Sequence, residues 1–397
     1  MASVLTPGTR GRARHPVRRP MTNFGRNPSS PFRHVDLVLV GCVGVVVLFG
    51  ALMVYSATRG PGPAYDTAYL KRVLMFAFLG GLLMVGAALF DYRRLRDYWP
   101  FVYGGSVLLL FAVLIPGIGK RTKGTQGWFQ LGPLQLQPSE LAKLGMIIGL
   151  AGLASQFRGD LDLPRIGMLL GVCAAPMVLV LAQPDLGTTL ISVAVAFAML
   201  LVAGVAPRLL GILAVAAVLV TTLVLTSGVL QEYQVARLTT YTRQDQVVTS
   251  VEEGKARYNL DQAKLTIGSG GLTGKGLFNG PQTRNGFVPE QRTDFIFTAV
   301  GEQLGFIGSA ALLAVLGVIV WRVWRAAQLA RDDFGTLLCT GVMVMLVIQI
   351  FENVGMTMGI MPITGIPLPL MSYGGSALIL TFLSIGLVLS VHMRRFA

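Results

Sequence analysis

The sequence predicts an all-α polytopic membrane protein with ten transmembrane helices and one large extracytoplasmic loop between the seventh and the eighth. Three observations carry that reading. The 397-residue chain is 53% hydrophobic and only 13% charged, with mean hydropathy +0.64, whereas soluble domains carry about 25% charged residues. Its apolar stretches exceed the roughly 18 residues that mark a spanning helix. One long segment, 228–297, is too polar to lie in lipid, and its second half is dense in glycine.

Taken in order, residues 1–35 are rich in Arg, Pro and Ser and are expected to form a disordered basic tail. The span that follows is too long for a removable signal peptide and lacks a small-residue cleavage site. Residues 36–397 read as one membrane domain with spans at 36–57, 72–90, 99–118, 138–157, 163–182, 187–204, 208–227, 298–324, 335–359 and 372–393. The two halves do not resemble each other, which speaks against an inverted-repeat transporter.

The positive-inside rule sets the orientation. The tail carries Arg10, Arg12, Arg14, Arg18, Arg19, Arg26 and Arg33. Placing it in the cytoplasm also puts Arg93, Arg94, Arg96, Arg158, Arg165, Arg208, Arg322, Arg325, Arg331, Arg394 and Arg395 inside. Ten spans leave both termini in the cytoplasm and the 228–297 loop outside. Its Arg237, Arg243, Lys255, Arg257, Lys264, Lys275, Arg284 and Arg292 are compatible with this, because long loops cross largely regardless of charge. Lys120, Arg121 and Lys123 in a short outer loop break the rule. Outside, they would attract an anionic substrate.

Several chemistries are excluded. His15, His34 and His392 lie in the tail, at the inner edge or at the C-terminus, so no histidine serves as an outward-facing base. There is no HExxH and no cysteine cluster for zinc, and Cys42, Cys173 and Cys339 all lie inside apolar helices. The glycines of 268–280 lack the GxGxxG spacing, and Lys275 is followed by glycine where a phosphate loop needs Ser or Thr. Asp160-Leu161-Asp162 sits in a short inner loop and reads as a solvated turn.

Carboxylates that adjoin or enter apolar helices remain: Glu140, Asp185, Glu290, Asp294, Glu302 and Glu352. Ionisable groups in membrane spans are costly and by default functional. In contrast, Glu232, Asp245, Glu252, Glu253 and Asp261 lie in a polar stretch with a solvated surface as the default. QPSE opens a helix at Pro138, and Glu140 and Lys143 are three apart, on one face. They read as a cap with a structural ion pair, or with Lys143 as a phosphate contact. In QPDLGTT, Asp185 reads as a capping acid or as the lining of a polar cavity. The connection MPITGIPLPLMSYGGS is rigid and non-helical, which lipid tolerates only when it is buried in protein or lines a wet cavity. It offers the hydroxyls of Thr364, Ser372, Tyr373 and Ser376.

In PEQRTDFIF, Asp294 meets an aromatic and aliphatic run as the chain re-enters lipid. Desolvation raises a carboxylate from its ordinary value near 3.9, and a general base works best when its pKa approaches the working pH. Arg292 opposes the shift if it pairs with Asp294. The alternative is an N-cap acid for the eighth span.

QPSELAKL, QPDLGTTL, IGSGGLTGKGLFNGPQT, FVPEQRTDFIFTAVGEQLGF and MPITGIPLPLMSYGGS together resemble the SEDS family (shape, elongation, division and sporulation). NGPQT and PEQRTDFIF resemble its RodA branch rather than the FtsW branch, whose members tend to carry Ala-His before TDFIF. The resemblance covers all but the tail. Glu352, Asn353-Val-Gly and GEQLG are variants of the usual forms.

This resemblance implies a peptidoglycan glycosyltransferase. Such an enzyme polymerises lipid II into β-1,4 glycan strands at the outer face of the cytoplasmic membrane during elongation. It implies Asp294 as the essential acid, Glu140 and Lys143 as the helix-start ion pair, and Asp185 as a second membrane-edge acid. Lys143, Arg292, Lys275 and Arg72, with Thr293 and Ser372 in support, are candidates for binding the substrate. A divalent cation (Mg or Mn) is a candidate cofactor. Undecaprenyl-diphosphate-linked glycan, membrane lipid and a class B penicillin-binding protein transpeptidase are the expected partners, with no nucleic acid. The competing expectation is a lipid II flippase.

Overall fold

A computed structural model describes residues 34–58, 60, 67–122, 125–132, 134–157, 161–226, 232–242 and 250–396. The expected disordered tail therefore lies outside the described residues up to position 33, as do Arg158, Asp160, Arg243, Asp245 and Lys123. The helices are α1 (Leu37–Thr58), α2 (Ala68–Leu89), α3 (Tyr92–Asp97), α4 (Trp99–Leu114), α5 (Pro138–Phe157), α6 (Leu163–Ala182), α7 (Leu186–Val202) and α8 (Pro207–Thr226). They continue with α9 (Glu232–Thr242), α10 (Val251–Ser269), α11 (Pro281–Asn285), α12 (Ile296–Gln328), α13 (Asp333–Met358) and α14 (Gly375–Met393). A helix covers each segment expected to span. Six of them, α1, α2, α6, α12, α13 and α14, are long and apolar enough to cross a membrane. Helices α4 and α7, and Pro207–Leu219 of α8, are apolar but shorter.

The chain departs from all-α in one place. β1 (Lys120–Thr122), β2 (Thr125–Leu131) and β3 (Leu134–Leu136) form a small antiparallel sheet in the order β1-β2-β3. The cause is local. Residues 125–136 place Trp128, Phe129, Leu131, Leu134 and Leu136 among glutamines, and Gly132, at φ +62°, turns the chain back so that Phe129 pairs with Leu136. The sheet is tied to the bundle by Ser376, whose hydroxyl donates to the Gln135 carbonyl at 2.8 Å and accepts from the Gln137 N–H at 3.2 Å.

Close helix contact follows from small residues. Gly145, Gly149 and Gly152 form one stripe of α5, and a Cβ on them would run into Ser106, Tyr103 and Trp99 of α4. This is the small-residue logic of membrane helix packing, where backbones approach because nothing intervenes. Helix α13 runs through the core, with Phe334, Leu338, Val342 and Leu346 at 1% exposure or less. The end of the bundle where α2 and α14 finish is clamped by polar contacts. Arg322 pairs with the buried Asp36 at 2.6 Å. The Arg394 guanidinium donates to the Ala88 and Leu89 carbonyls at 3.0 and 2.6 Å. The Tyr92 hydroxyl donates to Asp332 at 2.9 Å, and its phenol is pushed up to about 12, first by burial and then by the Asp332 charge.

The loop expected outside is structured. It holds α9, α10 and α11, and the glycine-rich stretch after α10 docks on a break in α12. Gly305 sits inside that helix at φ +65° and ψ −161°, a conformation open to glycine and not to other residues. The break exposes backbone groups, and the glycine loop satisfies them. Lys275 and Gly276 N–H groups donate to the Glu302 and Gln303 carbonyls, while Phe306 and Ile307 N–H groups donate to Gly271 and Leu272.

Candidate active site

The PEQRTD turn is wound tightly. Glu290 takes φ +53°, and its carbonyl accepts from the N–H groups of Thr293, Asp294 and Phe295. Gln291 is buried beneath it and donates to the hydroxyls of Thr283 and Thr298 at 3.1 and 3.0 Å. Asp294 is half-buried. Its carbonyl accepts from Asn353 Nδ2 at 2.7 Å, and the same amide reaches the Ile366 carbonyl at 2.8 Å. The N-cap of α12 is Phe295, and no side chain caps that helix. The capping alternative for Asp294 is thus not the arrangement found.

Opposite the carboxylate lies the proline-rich connection between α13 and α14. Gly365, at φ +78°, faces it directly. A Cβ on Gly365 would sit 3.3 Å from Asp294 Oδ2 and 3.7 Å from Arg237 Nη1. The acid and the guanidinium therefore both lie beside Gly365. Arg237 donates to the Thr364 carbonyl at 3.4 Å and lies 5.5 Å from the Tyr233 ring centre. Helix α9, which carries it, is held by the Tyr233 hydroxyl and Gln234 Nε2, both donating to the Pro184 carbonyl. The Tyr233 phenol is raised by burial, opposed by Arg237 and helped by Asp185.

Asp185 is the N-cap of α7, accepting from the Thr188 N–H at 2.9 Å and from its hydroxyl at 2.8 Å. Glu140 and Lys143 form an ion pair at 2.7 Å with side chains 7% and 3% exposed. Lys143 is therefore held inside the bundle. Glu352 of α13 is fully buried, with Lys143, Asp185 and Thr364 as its electrostatic neighbours.

A second group forms where α2 begins. The Arg292 guanidinium stands 4.5 Å from the Tyr69 ring centre and Arg72 stands 6.0 Å from it. Tyr373 meets Tyr69 edge-on at 5.2 Å, and its N–H donates to the Arg292 carbonyl at 2.9 Å. The face of an aromatic ring attracts cations, so one tyrosine gathers two arginines from distant parts of the chain.

The other expected residues are placed as follows. The Thr293 hydroxyl stays on its own turn, donating to the carbonyl and carboxylate of Glu290. Ser372 accepts from the Leu368 N–H at 2.8 Å and so braces the connection. Lys275 is exposed on the glycine loop. Glu302 is fully buried and accepts from the Gln282 and Thr283 N–H groups and the Thr283 hydroxyl at 2.6–2.8 Å. Gln303 accepts from the Phe278 N–H and the Ser56 hydroxyl. Both side chains thus hold the glycine loop. A small cavity of 110 Å³ beside them is lined by Ser56, Phe278, Gly280 and Thr283. Among the described residues, no three or more His, Cys, Asp or Glu side chains are grouped to hold a metal ion. A cation bound by a protein cage alone therefore does not fit them.

Sequence reasoning missed Arg237, Tyr69 and Gly365 as members of the site. Arg237 lay among eight basic residues of one loop, and nothing local distinguished it. Tyr69 lies just before the span expected to start at 72. Gly365 carried a usable signal, because a glycine between Thr364 and a proline-rich run marks a positive φ.

Comparison with known proteins identifies the family. The sequence model of the family described as "Cell cycle protein" (FTSW_RODA_SPOVE) matches residues 34–396. The chain is 34% identical over 367 residues to the peptidoglycan glycosyltransferase MrdB of Escherichia coli, covering 91% of this chain and 94% of that one. It is 34% identical over 368 residues to the stage V sporulation protein E of Bacillus subtilis, covering 90% and 96%. Among solved structures, a chain of a peptidoglycan synthase complex superposes with TM-score 0.77 at 32% identity, over 91% of this chain and 98% of that one. The rod shape determining protein RodA of Thermus thermophilus gives TM-score 0.67 at 31% identity over 91% and 98%. A match that runs unbroken through every helix of the bundle places this chain in the FtsW/RodA/SpoVE family, the SEDS proteins.

Proposed function

We propose that Asp294 is the general base of this peptidoglycan glycosyltransferase. The enzyme class follows from relatives that carry that name at about 34% identity over nine-tenths of the chain. The observation that carries the site is the placement of both Asp294 and Arg237 beside Gly365. A half-buried acid is held there by its backbone, on a turn whose N–H groups and carbonyl are already committed. Holding the backbone of the acid in this way is the kind of preorganisation that acid–base chemistry requires.

The reaction proposed is inverting transfer. Asp294 takes the proton of the acceptor sugar's 4-hydroxyl. The oxygen attacks the anomeric carbon of the polyprenyl-diphosphate-linked donor strand, and the bond to the diphosphate breaks with its electron pair on the leaving oxygen. An α-linked donor becomes a β-1,4 link. Negative charge develops on the diphosphate, where fixed cations stabilise it most. Arg72 and Arg292 on Tyr69 are the pair best arranged for that task, with Arg237 next to the base. A Mg or Mn ion would reach the site on the diphosphate, because Mg²⁺ typically binds through one or two carboxylates plus substrate phosphates. No step here depends on it.

Ten crossings, with both termini in the cytoplasm and Asp294 at the outer face of the cytoplasmic membrane, fit the basic residues of the short loops apart from Lys120, Arg121 and Lys123. That orientation brings lipid II to the site from the outer leaflet. The structural neighbour from a synthase complex, whose subject is the coordination of polymerization and crosslinking, supports a crosslinking partner of the class B penicillin-binding type. The test is direct. Full-length protein in detergent is given lipid II, and glycan strands are resolved by length. Asp294→Asn is expected to abolish strand formation while leaving Tm within about 2 °C. A variant that polymerises at the wild-type rate removes Asp294 from this role.

A further inference from the structure

We propose that Glu352 is a positioning residue for this transfer: it competes with Glu140 for Lys143 and acts on Asp294 through its neighbour Asn353. The inference rests on the glycosyltransferase reading above. Its starting point is an anomaly. Glu352 is 0% exposed, and neither carboxylate oxygen has a hydrogen-bond partner. The other buried acids of the bundle are provided for. Glu302 has three donors, Asp36 has Arg322 and the Leu39 N–H, and Glu140 has Lys143. Thr364 stands beside Glu352, but its hydroxyl points to the Met356 sulfur at 4.0 Å. Buried polar groups without partners are few in native structures, and each requires a reason.

The candidate cationic partner is Lys143. Its ammonium has three donors, and among the described residues the Glu140 carboxylate takes one of them, at 2.7 Å. Helices α5 and α13 pack against each other, and Lys143 lies within electrostatic reach of Glu352. A lysine stem is long and flexible. In this structure the ammonium sits on Glu140.

The consequence for the site follows from the next residue. Asn353 ties the Asp294 carbonyl to the Ile366 carbonyl. In the same stretch, Thr364 stands beside Glu352, and Gly365 lies against Asp294 and Arg237. A change in how Glu352 is satisfied is felt at the turn of α13 that fixes Asp294. Keeping a buried acid unpaired lowers stability, and such strain persists at functional sites where it is part of the mechanism.

The experiment uses the full-length chain in detergent with lipid II as substrate, measuring kcat, KM and Tm. Glu352→Gln keeps the shape and removes the charge. The expected result is a Tm higher by about 2–4 °C, kcat about tenfold lower, and KM within twofold. Glu352→Asp restores part of the lost kcat. In a double-mutant cycle, Lys143→Met with Glu352→Gln loses no more kcat than Lys143→Met alone. If Lys143→Met does not fold, the Gln and Asp variants decide. Wild-type kcat in Glu352→Gln overturns the inference, as does a joint fall of Tm and kcat that marks a purely structural residue. A wild-type chain that makes no strands, with Tm still rising in Glu352→Gln, instead overturns the glycosyltransferase reading and leaves the unpaired charge standing. A Tm that does not rise overturns the Glu352 inference whatever the activity.

Discussion

Replacing Gly365 with alanine tests the geometry of the base most sharply. The added methyl would lie 3.3 Å from Asp294 Oδ2 and 3.7 Å from Arg237 Nη1. The first contact is tighter than ordinary van der Waals separation, so the carboxylate must give way by a few tenths of an ångström. A misplacement of about 1 Å in an active site costs on the order of 100-fold in rate, so a few tenths correspond to a fall in kcat of about 4- to 10-fold. The backbone contributes separately. At φ +78° an L residue is disfavoured by about 1–2 kcal/mol, which lowers Tm by roughly 2–8 °C. The assay is lipid II polymerisation with Tm measured on the same preparation. Gly171→Ala in α6 is the control, because nothing lies within 4 Å of its Cβ position and alanine favours a helix by about 0.5–1 kcal/mol. Its activity is expected to be unchanged. A Gly365→Ala protein with lowered Tm but full kcat refutes the placement of the catalytic carboxylate against residue 365.

Two further outcomes follow from the ion pair and the arginine pair. Lys143→Met strands a buried Glu140, and breaking such a pair from one side costs about 3–5 kcal/mol; Tm and the yield of monodisperse protein fall, and adding Glu140→Gln recovers part of the loss. An unchanged Tm in the single variant would remove the structural role of the pair. Tyr69→Ala removes the ring between Arg72 and Arg292, where cation–π contacts are worth about 0.5–1 kcal/mol each; KM for lipid II is expected to rise about 5- to 30-fold with kcat nearly constant. Tyr69→Phe keeps the ring and should behave as wild type, and equal damage in both variants would mean that the hydroxyl, not the ring face, matters.

The membrane class and the helical segments were legible because apolar length is a one-dimensional signal. Asp294, Glu140, Lys143 and Asp185 were legible because an acid or lysine beside lipid is rare and costly. The small sheet was not seen, since it is short and lies in a stretch whose alternation is diluted by glutamine. Arg237 and Tyr69 were not seen because their roles depend on pairing between segments far apart in the chain. Arg237 meets the Thr364 carbonyl from 127 residues away, and no local pattern encodes that distance. Glu302 shows the reverse limit. It passed the same test of burial as Asp294, yet its donors hold a loop. Burial of an acid reports a demand for partners. Which partners answer it decides whether the acid is scaffold or chemistry.

That distinction orders the whole site. The glycine loop, the PEQRTD turn and the proline-rich connection are irregular backbone at the edge of an apolar bundle, where every N–H and carbonyl needs a partner. Buried side chains supply many of them. Glu302 and Gln303 serve the glycine loop, Asn353 serves Asp294 and Ile366, and Ser372 serves Leu368. The turn that carries Asp294 is thus fixed through its backbone, by the Asn353 amide and the Glu290 carbonyl. A polar group committed to structure is hard to recruit for substrate, because releasing it leaves a buried partner unsatisfied. Internal amides such as Asn353 therefore fix the backbone on which the proposed base is carried.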